Sequence, residues 1–392
     1  MTKPRLTILG VQLESEAYPN VLHRVRALEG SQEFNTHKIH HSGWSQETQS
    51  ASGRSRLLRN FWRMLYAHLA VLARHLRAPS ADCIYVPYPA TLLLWFLSFF
   101  PGGKAGTRLV ADAFISLYDT IVLDRQLLRA GGLPAKLLFA VETRAFRFAD
   151  TMIVDTPMTA AHLASLFKLP FEKFVPVSLA TDEYLFTPSA YEVGGEDCRV
   201  LFIGTLIPLH GVPTIVEAAA ALQGRRDIRL KIIGDGQENA ALEQYAATAN
   251  SNIEWQREWL SSARIAEEIA MADICLGIFG DTEKTQRVLP FKLYAYSRIG
   301  RCIITAGTSC SDSYVDALDY RPWCSVEVAN APALAAAIIE LADNVQLRSQ
   351  LASNAARFYE ERLSNAATEK LVTETLLPRT GSSSRLSACE NT

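Results

Sequence analysis

The sequence predicts an α/β protein made of two doubly wound units, each with a parallel β-sheet that carries helices on both faces. Short apolar segments alternate with helical segments along the chain, which is the pattern of a parallel sheet with crossover helices. The apolar segments are uninterrupted, as strands buried on both faces require. A stretch with linker composition at 188–198 divides the series in two, and 392 residues suffice for two domains.

The first series gives the elements of a domain predicted at 1–190. A strand at 6–9 is followed by helical spacing at 21–28 and then by a polar loop that runs to about Ser52. Leucines at intervals of three and four predict one long helix over 55–77. Three more short apolar strands are expected at 82–87, 109–112 and 151–155.

The second series repeats this plan and gives a domain predicted at 191–365. Its strands, all short and mostly apolar, are expected at 199–203, 230–233, 252–255, 274–279 and 302–305. Its helices, placed between and after these strands, are expected at 212–222, 240–249, 263–271, 290–297, 331–341 and 347–362.

The composition excludes several classes of protein. With 48% hydrophobic and 20% charged residues, the chain has the values of a globular protein. A net charge of −2 argues against nucleic-acid binding over the whole surface. The longest apolar run, at 90–101, is well short of the roughly 20 residues that cross a bilayer. Seven scattered cysteines without a CxxC pair predict reduced thiols in a cytoplasm, and no metal site.

Two glycine-containing turns are candidate ligand sites, because ligands of open parallel sheets bind beyond the carboxyl ends of the strands. The first turn joins a strand to a helix. A phosphate could bind there to the backbone amides at Gly204 and Gly211 and to the side chains of Thr205 and His210. An ordinary turn with a surface histidine is the alternative. The second turn consists of Gly234, Asp235 and Gly236. It is either a tight turn that approaches a ligand closely or a plain turn.

A polar loop after the strand at 274–279 is a third candidate site. It carries three cations that suit phosphate oxygens, Lys284, Arg287 and Lys292. A solvated face is the alternative, but Val288, Leu289 and Pro290 in the middle of the loop argue against it.

Acidic side chains follow the strand at 109–112 in the first half. Asp112 and Asp119 stand where the opposite unit would face them and would hold sugar hydroxyls or accept a proton. Helix capping is the competing interpretation for both residues. The segment Asp155-Thr156-Pro157 has the pattern of a helix N-cap followed by proline, and capping is the favoured interpretation there.

The helix over 55–77 has a basic face beside an apolar one, which is typical of a helix that lies on an anionic membrane surface. The segment 51–81 contains no acid and six arginines, at Arg54, Arg56, Arg59, Arg63, Arg74 and Arg77. The alternative is a core helix with a charged outer face.

Taken in order, these blocks resemble those of the retaining glycosyltransferases of family 4. The matching segments, all in the second half, are 200–205, 210–211, 232–236, 272–274 and 290–296, followed by Gly300. The resemblance covers roughly 198–345 well. It extends more loosely over 1–190, where 174–177, Asp182 and 186–188 match the inter-domain block of the family.

The resemblance implies the GT-B fold, with an N-terminal domain for the acceptor and a C-terminal domain for a nucleotide-diphosphate sugar. It implies no metal or other cofactor. A last helix often crosses back to the first domain, and 366–380 is the candidate here, followed by a disordered tail at 381–392.

This sequence departs from the family at four positions. The usual arginine and lysine of the first block are Thr205 and His210, and the usual pair of glutamates falls on Arg287 and Ala295. A subgroup of such enzymes has a Lys-x-x-Arg-Val-x-Pro-x-Lys pattern, which the loop from Lys284 to Lys292 reproduces. Positive charge would thus have moved from the first block to this loop.

The predicted activity is transfer of a hexosyl group, with retention, to a saccharide or lipid-linked acceptor in the synthesis of a surface polysaccharide or glycolipid. Lys292 and Arg287 would stabilise the leaving diphosphate, and Asp112 or Asp119 would orient hydroxyl groups. The protein would be cytoplasmic, with contact to the inner leaflet through 55–77. The alternatives are a GT-B-like binding or assembly protein without catalysis, for which the missing glutamates argue, and a nucleotide-sugar epimerase.

Overall fold

The structure is a computed structural model that describes residues 3–11, 19–41, 54–100, 106–190, 197–247 and 252–377, with the backbone alone at 19, over 54–59 and at 61. The predicted tail at 381–392 and part of the linker at 188–198 lie outside the described residues.

Six parallel strands form the first sheet in the order β2-β1-β3-β4-β5-β6. Their bounds are β1 Arg5–Val11, β2 Asn35–His41, β3 Cys83–Val86, β4 Arg108–Asp112, β5 Thr151–Val154 and β6 Phe174–Pro176. The order reverses between β1 and β3, as in a doubly wound sheet. We call the body around this sheet the first unit.

The second sheet also has six parallel strands, in the order β12-β11-β10-β7-β8-β9. Their bounds are β7 Cys198–Ile203, β8 Ile228–Ile233, β9 Ile253–Gln256, β10 Ile274–Leu276, β11 Cys302–Ala306 and β12 Cys324–Val326. Here the order reverses between β7 and β10. We call the body around this sheet the second unit.

The α-helices connect the strands and cover both faces of the sheets. In the first unit they are α1 Pro19–Gly30, α2 Arg54–Arg77, α3 Thr91–Leu97, α4 Leu133–Phe148 and α5 Pro157–Phe167. In the second unit they are α6 Val212–Ala221, α7 Asn239–Ala246, α8 Ser262–Met271, α9 Phe291–Ile299, α10 Ser309–Asp316, α11 Ala331–Asp343 and α12 Val345–Phe358. The last described helix is α13 Asn365–Leu376.

The predicted fold class is confirmed, because both sheets are parallel, doubly wound and buried on both faces. The central strands β3, β5, β10 and β11 have no exposed residue, which is why they appear in the sequence as continuous apolar runs. Thr156 caps α5 by accepting a hydrogen bond from the Thr159 amide, and Pro157 occupies the first helical position, so the predicted start of this helix is confirmed.

The prediction of a loop from 29 to about Ser52 is wrong over Asn35–His41, which forms β2. Only Ile39 of this edge strand is buried, so the apolar alternation that marks a strand is missing. The strand expected at 274–279 is shorter and ends at Leu276. The helix expected at 347–362 ends at Phe358, where a single π-helical turn, Tyr359–Leu363, follows.

Helix α13 returns to the first unit after the chain has completed the second. Its Val372 and Leu376 are buried in one core cluster with Leu6 and Val110 of the first sheet. The Arg108 guanidinium donates to the Leu377 carbonyl oxygen at 3.0 Å. The chain therefore crosses between the units twice.

The two crossings are hydrogen-bonded to each other. The Asn365 side chain accepts from the Thr181 amide at 2.9 Å and donates to the Thr181 carbonyl oxygen at 2.7 Å. The Glu183 carboxylate accepts from the Tyr359 hydroxyl and from the Asn365 amide, both at 2.8 Å.

Across the described ranges, no helix has both the length and the apolar character needed to cross a membrane.

Candidate active site

The carboxyl ends of the two sheets face each other across a cleft of about 700 Å³, which we call the central cavity. The first unit contributes residues of α1, among them Leu22, His23 and Arg26. The second unit contributes residues that follow its strands or begin its helices, among them Gly204, His210, Trp259 and Lys292. The strand-order reversal between β7 and β10 lies at this cleft, and such a reversal is where doubly wound sheets bind ligands.

Lys292 lies in the first turn of α9 and reaches back to the ends of β7 and β10. Its Nζ is 3.7 Å from the centre of the Phe202 ring and 3.4 Å from the Gly277 carbonyl oxygen. A Cβ atom on Gly204 would lie 2.9 Å from this Nζ, so the missing side chain provides the room that the ammonium group occupies. Burial holds the pKa of Lys292 well below its usual value.

His210 lies beside Lys292, at the end of the short 3₁₀ turn Pro208–His210. Its Nδ1 is hydrogen-bonded to the Thr205 carbonyl oxygen, so Nδ1 carries a proton and Nε2 is the second, titrating nitrogen. Burial, and then the charge of Lys292, hold the pKa of His210 well below its usual value. The imidazole is therefore neutral at pH 7 while the cleft contains no anion.

The backbone amides of the 204–211 turn are largely engaged, whereas the sequence suggested them as phosphate donors. Four of them donate to carbonyl oxygens at 2.9–3.1 Å: Gly204 to Ile233, Leu206 to Asp235, His210 to Ile207 and Gly211 to Pro208. Thr205 is exposed. The strongest groups for an anion in this region are therefore the side chains of Lys292 and His210.

The turn of Gly234, Asp235 and Gly236 packs directly against the 204–211 turn. Gly234 has a φ of +148°, and a Cβ atom on it would lie 1.9 Å from the Gly204 carbonyl oxygen. The Asp235 carboxylate is exposed and accepts from Asn239 and Arg257. These glycines allow two turns to meet, and their contact with a ligand stays a prediction.

Two of the cations in the 280–292 loop are paired with carboxylates of the first unit. Arg287 forms an ion pair with Asp119, and Lys284 Nζ is 3.2 Å from Asp124 Oδ2. His162 Nε2 is 2.9 Å from Asp119 Oδ1. Burial alone would raise the pKa of Asp119, but the hydrogen bond from His162 and the charge of Arg287 lower it below its usual value. The predicted phosphate ligands Lys284 and Arg287 thus join the two units in this structure.

Asp112 is buried below the cleft and does not line the central cavity. Its Oδ1 accepts from Arg24 Nη1 at 2.8 Å, and its Oδ2 accepts from the Tyr85 hydroxyl at 2.8 Å. Arg24 belongs to α1, the helix that carries His23 and Arg26 to the cavity. The observed contacts of Asp112 therefore anchor α1, and a direct part in catalysis stays a prediction.

Glu142 is a functional candidate that the sequence reasoning missed. Its buried carboxylate accepts from the Ser116 hydroxyl at 2.9 Å and from the amides of Leu117 and Tyr118, both at 2.8 Å. These bonds fix the start of the segment 116–125, which carries Asp119. The sequence indicates a special role for Glu142 only weakly, in that Glu142 is the one acidic residue of α4.

Residues 197–344 match the family model of the group 1 glycosyl transferases. At the level of sequence, no curated protein matches the chain. Among solved structures, HepE of Anabaena in complex with UDP has a TM-score of 0.65 and 14% identity over 95% of this chain and 99% of that one. Sucrose-phosphate synthase of Thermosynechococcus elongatus has a TM-score of 0.67 and 15% identity, over 95% and 98%.

The N-terminal domain of the Candida albicans trehalose-6-phosphate phosphatase has a TM-score of 0.68 and 10% identity, over 96% of this chain and 97% of that one. At such identities the likeness shows the fold, which is GT-B. The matched domain and this fold together support a GT-B glycosyltransferase. Within the described residues, no group of three His, Cys, Asp or Glu side chains is placed to hold a metal ion.

We expect Asp112→Ala to lower the free energy of unfolding by about 3–5 kcal/mol, because the change leaves the Arg24 charge buried without its partner. Urea titration measures this loss. Asp197→Ala is the matched control, because Asp197 pairs with Arg229 at 3.0 Å on the surface and its removal should cost at most about 1 kcal/mol. Unchanged stability with abolished turnover would instead assign Asp112 to catalysis.

Proposed function

We propose that the protein transfers a sugar, with retention at the anomeric carbon, from a nucleotide-diphosphate sugar to a saccharide or lipid-linked acceptor. One observation carries the proposal: Lys292 and His210 converge against Gly204, at the strand-order reversal of the second sheet. The binding of UDP and UDP-glucose by the HepE structures supports a nucleotide-sugar donor.

The two side chains suit a leaving diphosphate because an anion stabilises the charged form of both. A bound diphosphate would offset the burial that lowers the pKa of Lys292 and of His210, and the neutral His210 imidazole could take up a proton on binding. As the diphosphate leaves the sugar, its growing negative charge is stabilised by these groups, held in place before the reaction. Donor affinity should fall as the pH rises above neutrality, since the protons are then harder to take up.

Arg287 and Lys284 contribute to the same reaction by joining the two units at the cleft. Their pairing with Asp119 and Asp124 holds the two units together over the cavity, which excludes water and favours transfer over hydrolysis.

We expect one of UDP, GDP and ADP to bind in isothermal titration calorimetry, and Lys292→Met to weaken that binding at least tenfold because it removes a charged donor. Lys136→Met, a change of an exposed lysine on α4, is the control and should have no effect. The matching nucleotide sugar should be turned over about a hundredfold more slowly by Lys292→Met.

Absence of binding by all three nucleotides would refute the donor site. Binding without turnover in the presence of membrane extract would favour a GT-B-like binding protein, and isomerisation of the donor sugar without transfer would favour an epimerase.

Retention follows from the resemblance to family 4, and one observation favours the competing outcome, inversion. His23 Nε2 lies 3.4 Å from Asp182 Oδ2, and both residues line the central cavity. A histidine held by a carboxylate is a suitable general base for direct displacement by an acceptor hydroxyl.

The anomeric configuration of the transferred sugar in the product decides between these outcomes. It is measured as the ¹H coupling constant between H1 and H2 of that sugar. We expect the configuration of the donor sugar to be kept, and His23→Gln to retain most of the turnover because retention needs no base at this place. An inverted product, together with a loss of at least a hundredfold in His23→Gln, would establish inversion.

We further propose that the first unit contacts an anionic membrane, which would place synthesis of a surface polysaccharide or glycolipid at the cytoplasmic face. Helix α2 exposes 63% of Trp62 and 66% of Tyr66, and Arg63 between them is also exposed. Phe99 and Phe100, after α3, are about half exposed, and Arg144 lies 4.2 Å over the Phe99 ring. Aromatic side chains next to arginines are typical of membrane-surface contacts. The side chains of Arg54, Arg56 and Arg59 lie outside the described residues.

We expect the double variant Trp62→Glu and Arg63→Glu to lose most of its sedimentation with vesicles containing phosphatidylglycerol, because it removes an aromatic contact and reverses a charge. Leu371→Glu, on an exposed face of α13, is the control and should sediment like the unchanged protein. Equal sedimentation of both variants would count against membrane contact through α2.

A further inference from the structure

A second cleft of about 560 Å³, which we call the side cavity, adjoins the central cavity and is also lined by both units. The two cavities meet at the turn Pro208–His210, because Pro208 lines the side cavity and His210 lines the central one. The charged residues that line the side cavity are Asp124 and Arg125 from the first unit and Asp281, Glu283, Lys284 and Arg287 from the second.

Arg125 differs from the other cations of the side cavity in having no partner. Lys284 is paired with Asp124, and Arg287 with Asp119, so both charges are compensated within the protein. The guanidinium group of Arg125 is exposed and has no hydrogen-bond or ion-pair partner in the part of the chain that the structure describes. It is therefore available to an anion that enters between the units.

The backbone around Arg125 is fixed at several points. Arg125 follows the single π-helical turn Asp119–Asp124, and its amide donates to the Thr120 carbonyl oxygen at 2.9 Å. Glu142 holds the start of this segment, and the ion pairs of Asp119 and Asp124 hold its middle and end against the second unit. The side chain therefore starts from a defined place opposite the turn Pro208–His210.

The charge of Arg125 reaches the candidate diphosphate site. Besides burial and Lys292, the positive charge of Arg125 contributes to lowering the pKa of His210. The imidazole is thus in the electrostatic field of one cation from each unit. An anion at His210 would be attracted by both cations.

We propose that Arg125 binds the diphosphate of the donor from the opposite unit and replaces the arginine that the resemblance to family 4 places at Thr205. This inference rests on the proposed function. The planar guanidinium group can donate hydrogen bonds to two phosphate oxygens at once, which a threonine hydroxyl cannot. A diphosphate bound by Lys292 on one side and by Arg125 on the other connects the two units through the substrate itself.

The test compares Arg125→Gln with Arg129→Gln in calorimetric titrations of the full chain. Arg129 is an exposed arginine four residues away that lines neither cavity. The titrant is whichever of UDP, GDP and ADP binds the unchanged protein most tightly, and the corresponding nucleoside serves as a ligand without phosphate. Thermal denaturation checks that both variants keep the stability of the parent.

We expect Arg125→Gln to raise the Kd of the nucleoside diphosphate about ten- to a hundredfold, the usual effect of losing a hydrogen bond between charged groups, and to leave the Kd of the nucleoside unchanged. Arg129→Gln should change neither value. An unchanged Kd for the diphosphate in Arg125→Gln overturns the inference while the donor site stands, and so does an equal weakening of diphosphate and nucleoside. A rise confined to the acceptor KM overturns it too, because Arg125 would then bind an acceptor phosphate. If the unchanged protein binds none of the three nucleotides, the proposed function fails together with this inference.

Discussion

Two ion pairs across the cleft, Asp119 with Arg287 and Asp124 with Lys284, join the two units where their sheets face each other. The Thr156 hydroxyl adds a hydrogen bond to the Arg287 carbonyl oxygen, so one residue of the second unit is held by both its side chain and its backbone. These contacts are mostly shielded from solvent, which limits screening by salt. The two units are therefore joined beside the central cavity by side-chain and backbone contacts together.

The cations of the cleft fall into two groups, according to whether a carboxylate compensates their charge. Lys284 and Arg287 are compensated by carboxylates and serve the joining of the units. Lys292 is held against Phe202 and Gly277 and has no carboxylate partner among the described residues, so burial destabilises its charge. The proposed diphosphate would supply the negative charge that stabilises the Lys292 ammonium group.

The sequence was informative wherever local pattern decides structure. Apolar runs indicated the central strands, and the placement of glycines between strand and helix indicated the region of Gly204 and His210. Edge strand β2 was missed because water, not the core, contacts most of its side chains. The partners of Asp112 and Asp119 could not be predicted from the sequence either. Arg24 is 88 residues from Asp112 along the chain, and Arg287 is 168 residues from Asp119. Pairings at such separations depend on the completed packing.

The double crossing of the chain has a consequence for motion between the units. Because Asn365 binds both backbone groups of Thr181, the outgoing and returning segments are fastened side by side and cannot shift independently. A body tethered at two adjacent points swings about the line that joins them. We therefore expect any opening of the cleft to be a rotation about one hinge axis near Asn365 and Thr181, and closure about this axis would return the facing loops to the same alignment.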